Sequence, residues 1–306
     1  MKIPTGGILF FDSGIGGLTV LADALPRFSE QVFLYYGDND RAPYGNLSKR
    51  EIRQNVQAVF QEIEDLGIQM AVLACNTVTA VCAEELRENC AYPIIGAEPA
   101  IMPAARGGGN VLVLATRATC ASERFQKLCN KARRAYPQTS LDLIACEELA
   151  GQIEKNIFQQ DFDPTSYLPP VKPTSVVLGC THYIYVKEKI EKFYACPAYD
   201  GNKGIAMRIC SILNKNKPKN AKGRDERPLK TPPLNFEYSG DVFIRNNREI
   251  CPIKRTYGET FQENAACKAY SDCFIMDRKG NAIFFLGKQK FHNKHIFEQM
   301  FVKCRK

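Results

Sequence analysis

Two cysteines occupy matching places in two similar segments of the chain. Residues 72–77 read Val-Leu-Ala-Cys-Asn-Thr, and residues 177–182 read Val-Leu-Gly-Cys-Thr-His. Each segment predicts a buried strand that ends in a thiol, and the loop just beyond such a strand is where open α/β sheets bind ligands. At the start of a following helix, a thiol tends towards the thiolate, which acts as a nucleophile or a base. The repeat therefore predicts two reactive thiols, Cys75 and Cys180, in comparable positions.

His182 follows Cys180 by two residues and is one of three histidines in the chain. An imidazole titrates near neutral pH, so this residue suits a partner that orients or protonates the thiol. The alternative is that its side chain only caps the next helix through backbone hydrogen bonds. The other two, His292 and His295, have no third ligand near them in the sequence, and we interpret them as surface residues rather than a metal site.

A glycine-rich turn follows the first apolar run. Residues 10–17 read Phe-Phe-Asp-Ser-Gly-Ile-Gly-Gly, and Thr19 stands where a dinucleotide-binding fingerprint requires glycine. Glycines let the backbone approach a small anion at a helix N-terminus. The turn is therefore either a carboxylate site or a purely structural turn.

Six short apolar runs alternate with longer segments of helical periodicity, which is typical of βαβ units around a parallel sheet. A helix is predicted over residues 47–66, where Ser48 and Glu51 form a capping box. Residues 93–109 contain three prolines and four glycines and predict a crossing between domains. The fold class is therefore α/β, with strands predicted at 8–11, 32–36, 70–74, 111–115, 141–145 and 176–178.

The 306 residues are 45% hydrophobic and 24% charged, as expected of a globular protein. The N-terminal residues contain no apolar stretch that predicts a signal peptide or a membrane span, so we expect a cytoplasmic protein with reduced thiols. Residues 1–201 carry 19 Lys and Arg against 23 Asp and Glu, and residues 202–306 therefore carry 22 against 10. The net charge of +8 thus originates in the C-terminal third, where basic residues alternate with aromatic ones.

Five groups of residues occur in the same order as in the cofactor-independent glutamate racemases, and the chain resembles that family over residues 7–241. The Cys-Thr-His sequence at residues 180–182 favours the glutamate racemases over the aspartate racemases of the same superfamily. The groups are Asp12-Ser13-Gly14-Ile15-Gly16-Gly17, Gly37-Asp38 with Pro43-Tyr44-Gly45, Ala74-Cys75-Asn76-Thr77, Ala115-Thr116 with Thr119, and Leu178-Gly179-Cys180-Thr181-His182-Tyr183, followed by Ser239-Gly240-Asp241.

The resemblance implies two similar domains, each with a mostly parallel sheet flanked by helices, and an active site in the cleft between them. The first domain would comprise residues 1–97 together with 205–245, and the second would be inserted as residues 98–204. Residues 246–306 would form a basic C-terminal extension of unknown role.

The resemblance also implies racemisation by two thiols without a cofactor or a metal. Cys75 would remove the Cα proton of D-glutamate and Cys180 that of L-glutamate, from opposite faces of a planar carbanion. Asp12 and His182 would handle protons beside these thiols. Glu154 is either a further catalytic residue or an exposed helix residue, because the segment before it departs from the family pattern. Substrate contacts are expected from Asp12, Ser13, Tyr44, Gly45, Asn76, Thr77, Thr181 and His182.

The function predicted is therefore a glutamate racemase that supplies D-glutamate for peptidoglycan synthesis. One alternative is a racemase of another amino acid, such as aspartate. A second alternative is a racemase-like protein whose basic C-terminal third binds nucleic acid or a protein partner, since basic residues among aromatics bind single strands by charge and stacking. The sequence leaves a homodimer open, and we expect no contact with a membrane.

Overall fold

The computed structural model describes residues 6–159, 161–215, 242–246, 249–253, 274–276 and 281–301. Its strands form two mostly parallel sheets and one separate hairpin. The strands are β1 (Gly7–Asp12), β2 (Val32–Gly37), β3 (Ile68–Leu73), β4 (Ile94–Gly96), β5 (Gly109–Ala115), β6 (Thr139–Ala145), β7 (Ser175–Gly179), β8 (Ala198–Tyr199), β9 (Val242–Asn246), β10 (Glu249–Ile253), β11 (Phe274–Met276) and β12 (Ala282–Leu286).

Helices cover the sheets and connect their strands. The α-helices are α1 (Gly17–Ala24), α2 (Lys49–Glu62), α3 (Asn76–Asn89), α4 (Ile101–Ala105), α5 (Arg117–Cys120), α6 (Glu123–Ala135), α7 (Leu149–Lys155), α8 (Lys187–Tyr194), α9 (Asn202–Lys215) and α10 (Lys290–Phe301). Short 3-10 helices lie at Leu25–Arg27, Asn39–Arg41, Tyr44–Asn46, Glu64–Leu66, Thr165–Tyr167 and Thr181–Val186.

The first sheet has the order β11-β12-β2-β1-β3-β4, and the second has the order β6-β5-β7-β8. Every pairing in the two sheets is parallel except that of β11 with β12. Each of the six predicted apolar runs coincides with a strand. Five of these strands are largely buried, as parallel strands inside a sheet require, whereas β6, at the edge of the second sheet, is only partly buried. The predicted α/β fold class is confirmed, and so is the capping box of Ser48 and Glu51 at the start of α2.

The chain leaves the first sheet after β4 and enters the second at β5, within the segment that the prolines and glycines marked. It returns after β8 through α9, whose first residue, Asn202, donates its side-chain amide hydrogen to Asp23 Oδ2 at 2.8 Å. The carboxyl ends of β3 and β7 carry Cys75 and Cys180. One thiol therefore follows a strand of each sheet.

Residues near the C-terminus complete the first sheet. Strand β12 pairs with β2 in parallel, with Ala282 opposite Val32 and Leu286 opposite Tyr36. The sequence analysis placed this strand inside a basic extension, outside the two domains. In the sequence, the high charge of the surrounding segments made this apolar strand hard to recognise. In the structure, Phe285 of β12 packs in the core with Phe297 of α10. The domain boundaries themselves stay a prediction, and residues 239–241 lie outside the described residues.

In the part of the chain that the structure describes, no helix is both long enough and apolar enough to cross a bilayer.

Candidate active site

Cys75 lies where β3 ends and α3 begins, directly beside the end of β1. The amide of Ala74 donates to the carbonyl of Phe11 at 2.8 Å, which brings the thiol next to Asp12 and Ser13. The side chain is 6% exposed, and its Sγ lies 3.5 Å from Ser13 Oγ. Burial, reinforced by the negative charge of Asp12, raises the pKa of the Cys75 thiol to about 12. Burial therefore opposes the thiolate that the sequence predicts at this helix start in the free protein.

Cys180 ends the equivalent strand of the second sheet and is 8% exposed. Its Sγ lies 3.7 Å from His182 Nδ1, and His182 Nε2 is hydrogen-bonded to Glu154 Oε2. Burial alone would lower the pKa of His182, but the Glu154 carboxylate and the Cys180 thiol raise it. The resulting pKa of His182 is well above its usual value. The imidazole is thus held as a cation next to the sulphur.

Glu154 projects from α7 towards the site rather than into solvent. Its side chain is 17% exposed, and its second oxygen, Oε1, accepts a hydrogen bond from Asn39 Nδ2 at 3.1 Å. Of the two alternatives weighed from the sequence, the geometry is that of a partly buried residue in the site rather than an exposed helix residue. His182 likewise uses both ring nitrogens on side chains of the site rather than on the backbone.

Asp12 lies between the two sheets and is completely buried. Its Oδ1 accepts from the amide of Gly14 at 3.0 Å, and its Oδ2 accepts from the Thr181 hydroxyl at 3.1 Å. Burial raises its pKa to about 6, against the opposing effect of the positive charge on His182. The Asp12 carboxylate can therefore accept a proton close to neutral pH.

The glycines after Asp12 allow side chains of the second sheet to approach the backbone closely. A Cβ on Gly14 would lie 2.6 Å from Glu154 Oε1, and one on Gly16 would lie 2.8 Å from His182 Nδ1. No real side chain fits in those spaces without displacing its neighbours. The glycine turn therefore allows the elements that carry the two thiols to pack closely against each other.

The remaining predicted substrate contacts line the same region. Tyr44 is buried and hydrogen-bonded to Asp38, and a Cβ on Gly45 would lie 2.7 Å from Thr116 Cγ2. Thr77 Oγ1 lies 2.9 Å from Thr116 Oγ1. Asn76 Oδ1 is buried and has no hydrogen-bond partner among the described residues, although buried polar atoms are normally paired. An acceptor of this kind is suited to a donor group of a ligand.

Three further residues contribute to the site, and the sequence analysis did not single them out. Asn39 binds Glu154, Tyr35 donates its hydroxyl hydrogen to the carbonyl of Gly14 at 2.7 Å, and Tyr185 donates to that of Ile15 at 2.8 Å. Asn39 directly follows the Gly37-Asp38 pair of the family resemblance, and this position is the one feature of the sequence that could have pointed to it. Tyr35 lies in an apolar strand and Tyr185 in the 3-10 helix Thr181–Val186, and neither has a distinguishing sequence pattern, because its hydroxyl group finds its partner only in the folded protein.

Metal-ligating side chains do not gather in the region that the structure covers. Among the described residues, no group of three or more His, Cys, Asp or Glu side chains is arranged to hold a metal ion. Nine cysteines are free, at positions 75, 82, 90, 120, 129, 146, 180, 196 and 210. His292 and His295 are exposed on α10, which confirms their interpretation as surface residues.

Comparison with known proteins identifies relatives over most of this chain. A family model described as Asp/Glu/Hydantoin racemase matches residues 19–208. A glutamate racemase of Clostridium botulinum is 37% identical over 221 residues, which are 68% of this chain and 84% of that protein. A glutamate racemase of Halothermothrix orenii is 35% identical over 217 residues, 66% of this chain and 83% of that protein.

Solved structures of glutamate racemases also resemble this chain. The structure of Escherichia coli glutamate racemase with L-glutamate and the activator UDP-MurNAc-Ala is 29% identical, with a TM-score of 0.62 over 71% of this chain and 85% of that one. The Campylobacter jejuni glutamate racemase, at 22% identity, shares the fold over 98% of this chain and 100% of that one, with a TM-score of 0.63. The fold, the site and the relatives together define the class of protein: an isomerase that racemises amino acids. The chain belongs to the Asp/Glu/Hydantoin racemase family.

Proposed function

We propose that the protein interconverts L- and D-glutamate without a cofactor, with Cys75 and Cys180 as the two proton-transferring groups. The observation that supports this most directly is that each of the two sheets carries one buried thiol at the end of a strand. Each thiol has its own polar partners, Asp12 and Ser13 for one, His182 and Glu154 for the other.

Racemisation needs one thiolate and one thiol at the start of each turnover. The raised pKa of Cys75 keeps that residue protonated, and the positive charge of His182 lies 3.7 Å from Cys180 Sγ, where it favours negative charge on sulphur. In the reaction that starts from L-glutamate, we propose that Cys180 takes the Cα proton and that Cys75 gives its own proton to the opposite face. The product is D-glutamate, with Cys75 as thiolate and Cys180 as thiol.

The reverse reaction starts from that second state. A thiolate at Cys75 is costly in the free protein, because the group is buried beside Asp12. The ammonium group of bound D-glutamate adds a positive charge next to Asp12 and Cys75, which lowers this cost. We therefore assign Asp12 to the substrate ammonium.

The carbanion intermediate has no imine to accept its electrons, so the protein must stabilise it with oriented polar groups and exclude water. Both thiols are almost completely buried. Thr77 offers a hydroxyl to a substrate carboxylate, Asn76 offers an unpaired amide oxygen to the ammonium group, and Ser13, Tyr44, Gly45 and Thr181 complete the expected contacts.

The decisive experiment is an assay of purified protein with L-glutamate and no added cofactor, in which D-glutamate is measured by chiral chromatography. We expect equal conversion from either enantiomer, with aspartate turned over far more slowly. Cys75→Ala and Cys180→Ala should each abolish racemisation, while Cys82→Ala, which removes a buried thiol from the helix α3 that follows Cys75, should not. Retention of full activity by either of the first two variants would overturn the two-thiol mechanism.

We further propose that the D-glutamate serves peptidoglycan synthesis. Expression of the chain in a bacterium that requires added D-glutamate should remove that requirement, and the Cys75→Ala variant should not. Continued dependence on D-glutamate, despite active and soluble protein in the cells, would argue against this role.

A further inference from the structure

We propose that Asn39 is a positioning residue for proton transfer at Cys180, acting from the first sheet on a carboxylate of the second. The proposal rests on the two-thiol function above. Asn39 begins the 3-10 helix Asn39–Arg41, just beyond β2, and donates its Nδ2 hydrogen to Glu154 Oε1 at 3.1 Å. The other oxygen of Glu154 binds His182 Nε2, and His182 Nδ1 faces Cys180 Sγ. A continuous chain of contacts therefore joins Asn39 to the sulphur.

The chemical role of Asn39 follows from what it donates. A neutral amide hydrogen holds one oxygen of Glu154 in place without neutralising the carboxylate, so the other oxygen remains fixed and negative against His182. A carboxylate held this way orients an imidazole and supports its positive charge, as the aspartate of a catalytic triad does. Without Asn39, the flexible Glu154 side chain is free to adopt other rotamers, and the ring next to Cys180 loses its fixed orientation.

The two polar atoms of the Asn39 side chain differ in their hydrogen bonding. Asn39 Oδ1 is buried without a partner among the described residues, which costs free energy. The hydrogen bond to Glu154 is made by the other end of the same amide. A residue that leaves one polar atom unpaired in order to place the other is typical of a functional site.

Helix α10 supports the segment on both sides of Asn39. Asn293 is completely buried and donates its Nδ2 hydrogen to the carbonyl of Gly37 at 3.4 Å, and Gln289 donates to Asp40 Oδ1 at 2.6 Å. A Cβ on Gly37 would lie 2.8 Å from Asn293 Nδ2 and 2.9 Å from Asn39 Oδ1. The C-terminal helix thus packs tightly against the residues that carry Asn39, which gives this part of the chain a role at the active site.

The chain of contacts from Asn39 leads directly to one of the two thiols. Asn39 reaches Cys180 through Glu154 and His182, whereas the polar neighbours of Cys75 are Ser13 and Asp12. Loss of Asn39 should therefore raise the barrier for proton transfer at Cys180 and leave that at Cys75 unchanged. The two barriers are separable, because the Cα–H bond of L-glutamate breaks at Cys180 and that of D-glutamate breaks at Cys75.

The test uses the full-length protein and glutamate carrying deuterium at Cα. Asn39→Leu removes the amide at similar size, and Asn39→Asp replaces the donor with a second carboxylate beside Glu154. Asn130→Leu and Asn130→Asp are matched controls on the exposed face of α6. Circular dichroism and thermal unfolding establish that each variant is folded.

We expect both Asn39 variants to lose about 10–100-fold in kcat/KM, the range seen when a residue that orients a site ligand is removed. The loss must be equal in the two directions, because enantiomers have equal free energy. The deuterium isotope effect on kcat/KM should increase with L-glutamate and decrease with D-glutamate, since the Cys180 step becomes rate-limiting. The Asn130 variants should match the wild type.

Unchanged kcat/KM in the Asn39 variants would overturn the proposal, and so would a loss of activity that leaves both isotope effects at their wild-type values. The second result would mean that Asn39 only maintains the fold. A folded wild-type protein that does not racemise glutamate would instead overturn the proposed function, and this inference with it.

Discussion

The Thr181 hydroxyl donates a hydrogen bond of 3.1 Å to Oδ2 of Asp12, and this bond joins the residue next to Cys180 to the acid beside Cys75. Both side chains are buried, so the bond is shielded from solvent. It fixes the distance between the ends of β1 and β7, which belong to different sheets. The two halves of the site are therefore held in register by polar contacts as well as by packing.

Replacing Asp12 with asparagine should stabilise the protein at neutral pH while abolishing its activity. The folded-state pKa of Asp12 is raised from 3.8 to about 6, so the folded state binds this proton more tightly than the unfolded state. The resulting stability is fully present below pH 3.8 and is lost as the pH rises through 6. At pH 7.5 the ionised group costs about 3 kcal/mol, an order-of-magnitude figure from 1.36 kcal/mol per pKa unit.

Urea unfolding of Asp12→Asn and the wild type at pH 4.5 and pH 7.5 measures this difference. The stability advantage of the variant should be larger at pH 7.5. An equal difference at the two pH values would show that Asp12 titrates normally in the folded protein.

The Gly16→Ala substitution should reduce racemisation by at least about 100-fold, the scale expected when reacting groups move by an ångström. The added Cβ would lie 2.8 Å from both Thr181 Cβ and His182 Nδ1, so the second sheet has to shift. Gly204→Ala is the matched control, because nothing lies within 4 Å of the added atom in α9. That change should leave activity intact and stabilise the helix by about 0.5–1 kcal/mol. Equal activity of the two variants would contradict this account of the turn.

The Asn281→Ala substitution should destabilise the fold by about 2–4 kcal/mol, because it leaves several buried backbone groups without partners. The Asn281 side chain is completely buried, accepts from the amide of Gln31 at 3.0 Å and donates to the carbonyl of Phe28 at 2.9 Å. These bonds hold the start of β12 against the start of β2. Asn130→Ala on the surface of α6 serves as the control. A loss below about 0.5 kcal/mol, the usual range for surface changes, would mean that β12 is not anchored in this way.

Cys75 should resist alkylation by iodoacetamide at pH 7.5 in the absence of substrate. Its pKa is raised from 9.0 to about 12, so its thiolate fraction is about a thousand times lower than in the unfolded chain, since each unit is a factor of ten. Peptide mass spectrometry of protein labelled with and without urea compares the sites. The half-buried Cys196 should be labelled earlier. Labelling of Cys75 as quickly as Cys196 would show that the thiolate is already present.

Sequence reasoning identified the elements that local chemistry determines. The strands that carry Cys75 and Cys180 are apolar runs, and Ser48 and Glu51 are near neighbours in the chain, so periodicity and spacing were sufficient. The bond from Asn39 to Glu154 spans 115 residues, and β12 pairs with a strand 250 residues earlier, so neither has a local signal. The burial that raises the pKa of Cys75 has no local signal either, since it depends on residues distant in sequence.

The pairing of β12 with β2 has a consequence for the order in which the protein is made. Residues 32–36 leave the ribosome long before residues 282–286, with which they pair. Until then one edge of β2 is exposed, and the segment after it lacks the support of α10. Such a long sequence separation slows folding and leaves an unpaired strand edge exposed to aggregation in the meantime. A nascent chain therefore contains both thiols well before it has a supported catalytic site, and activity should appear only after residues 282–301 have been synthesised.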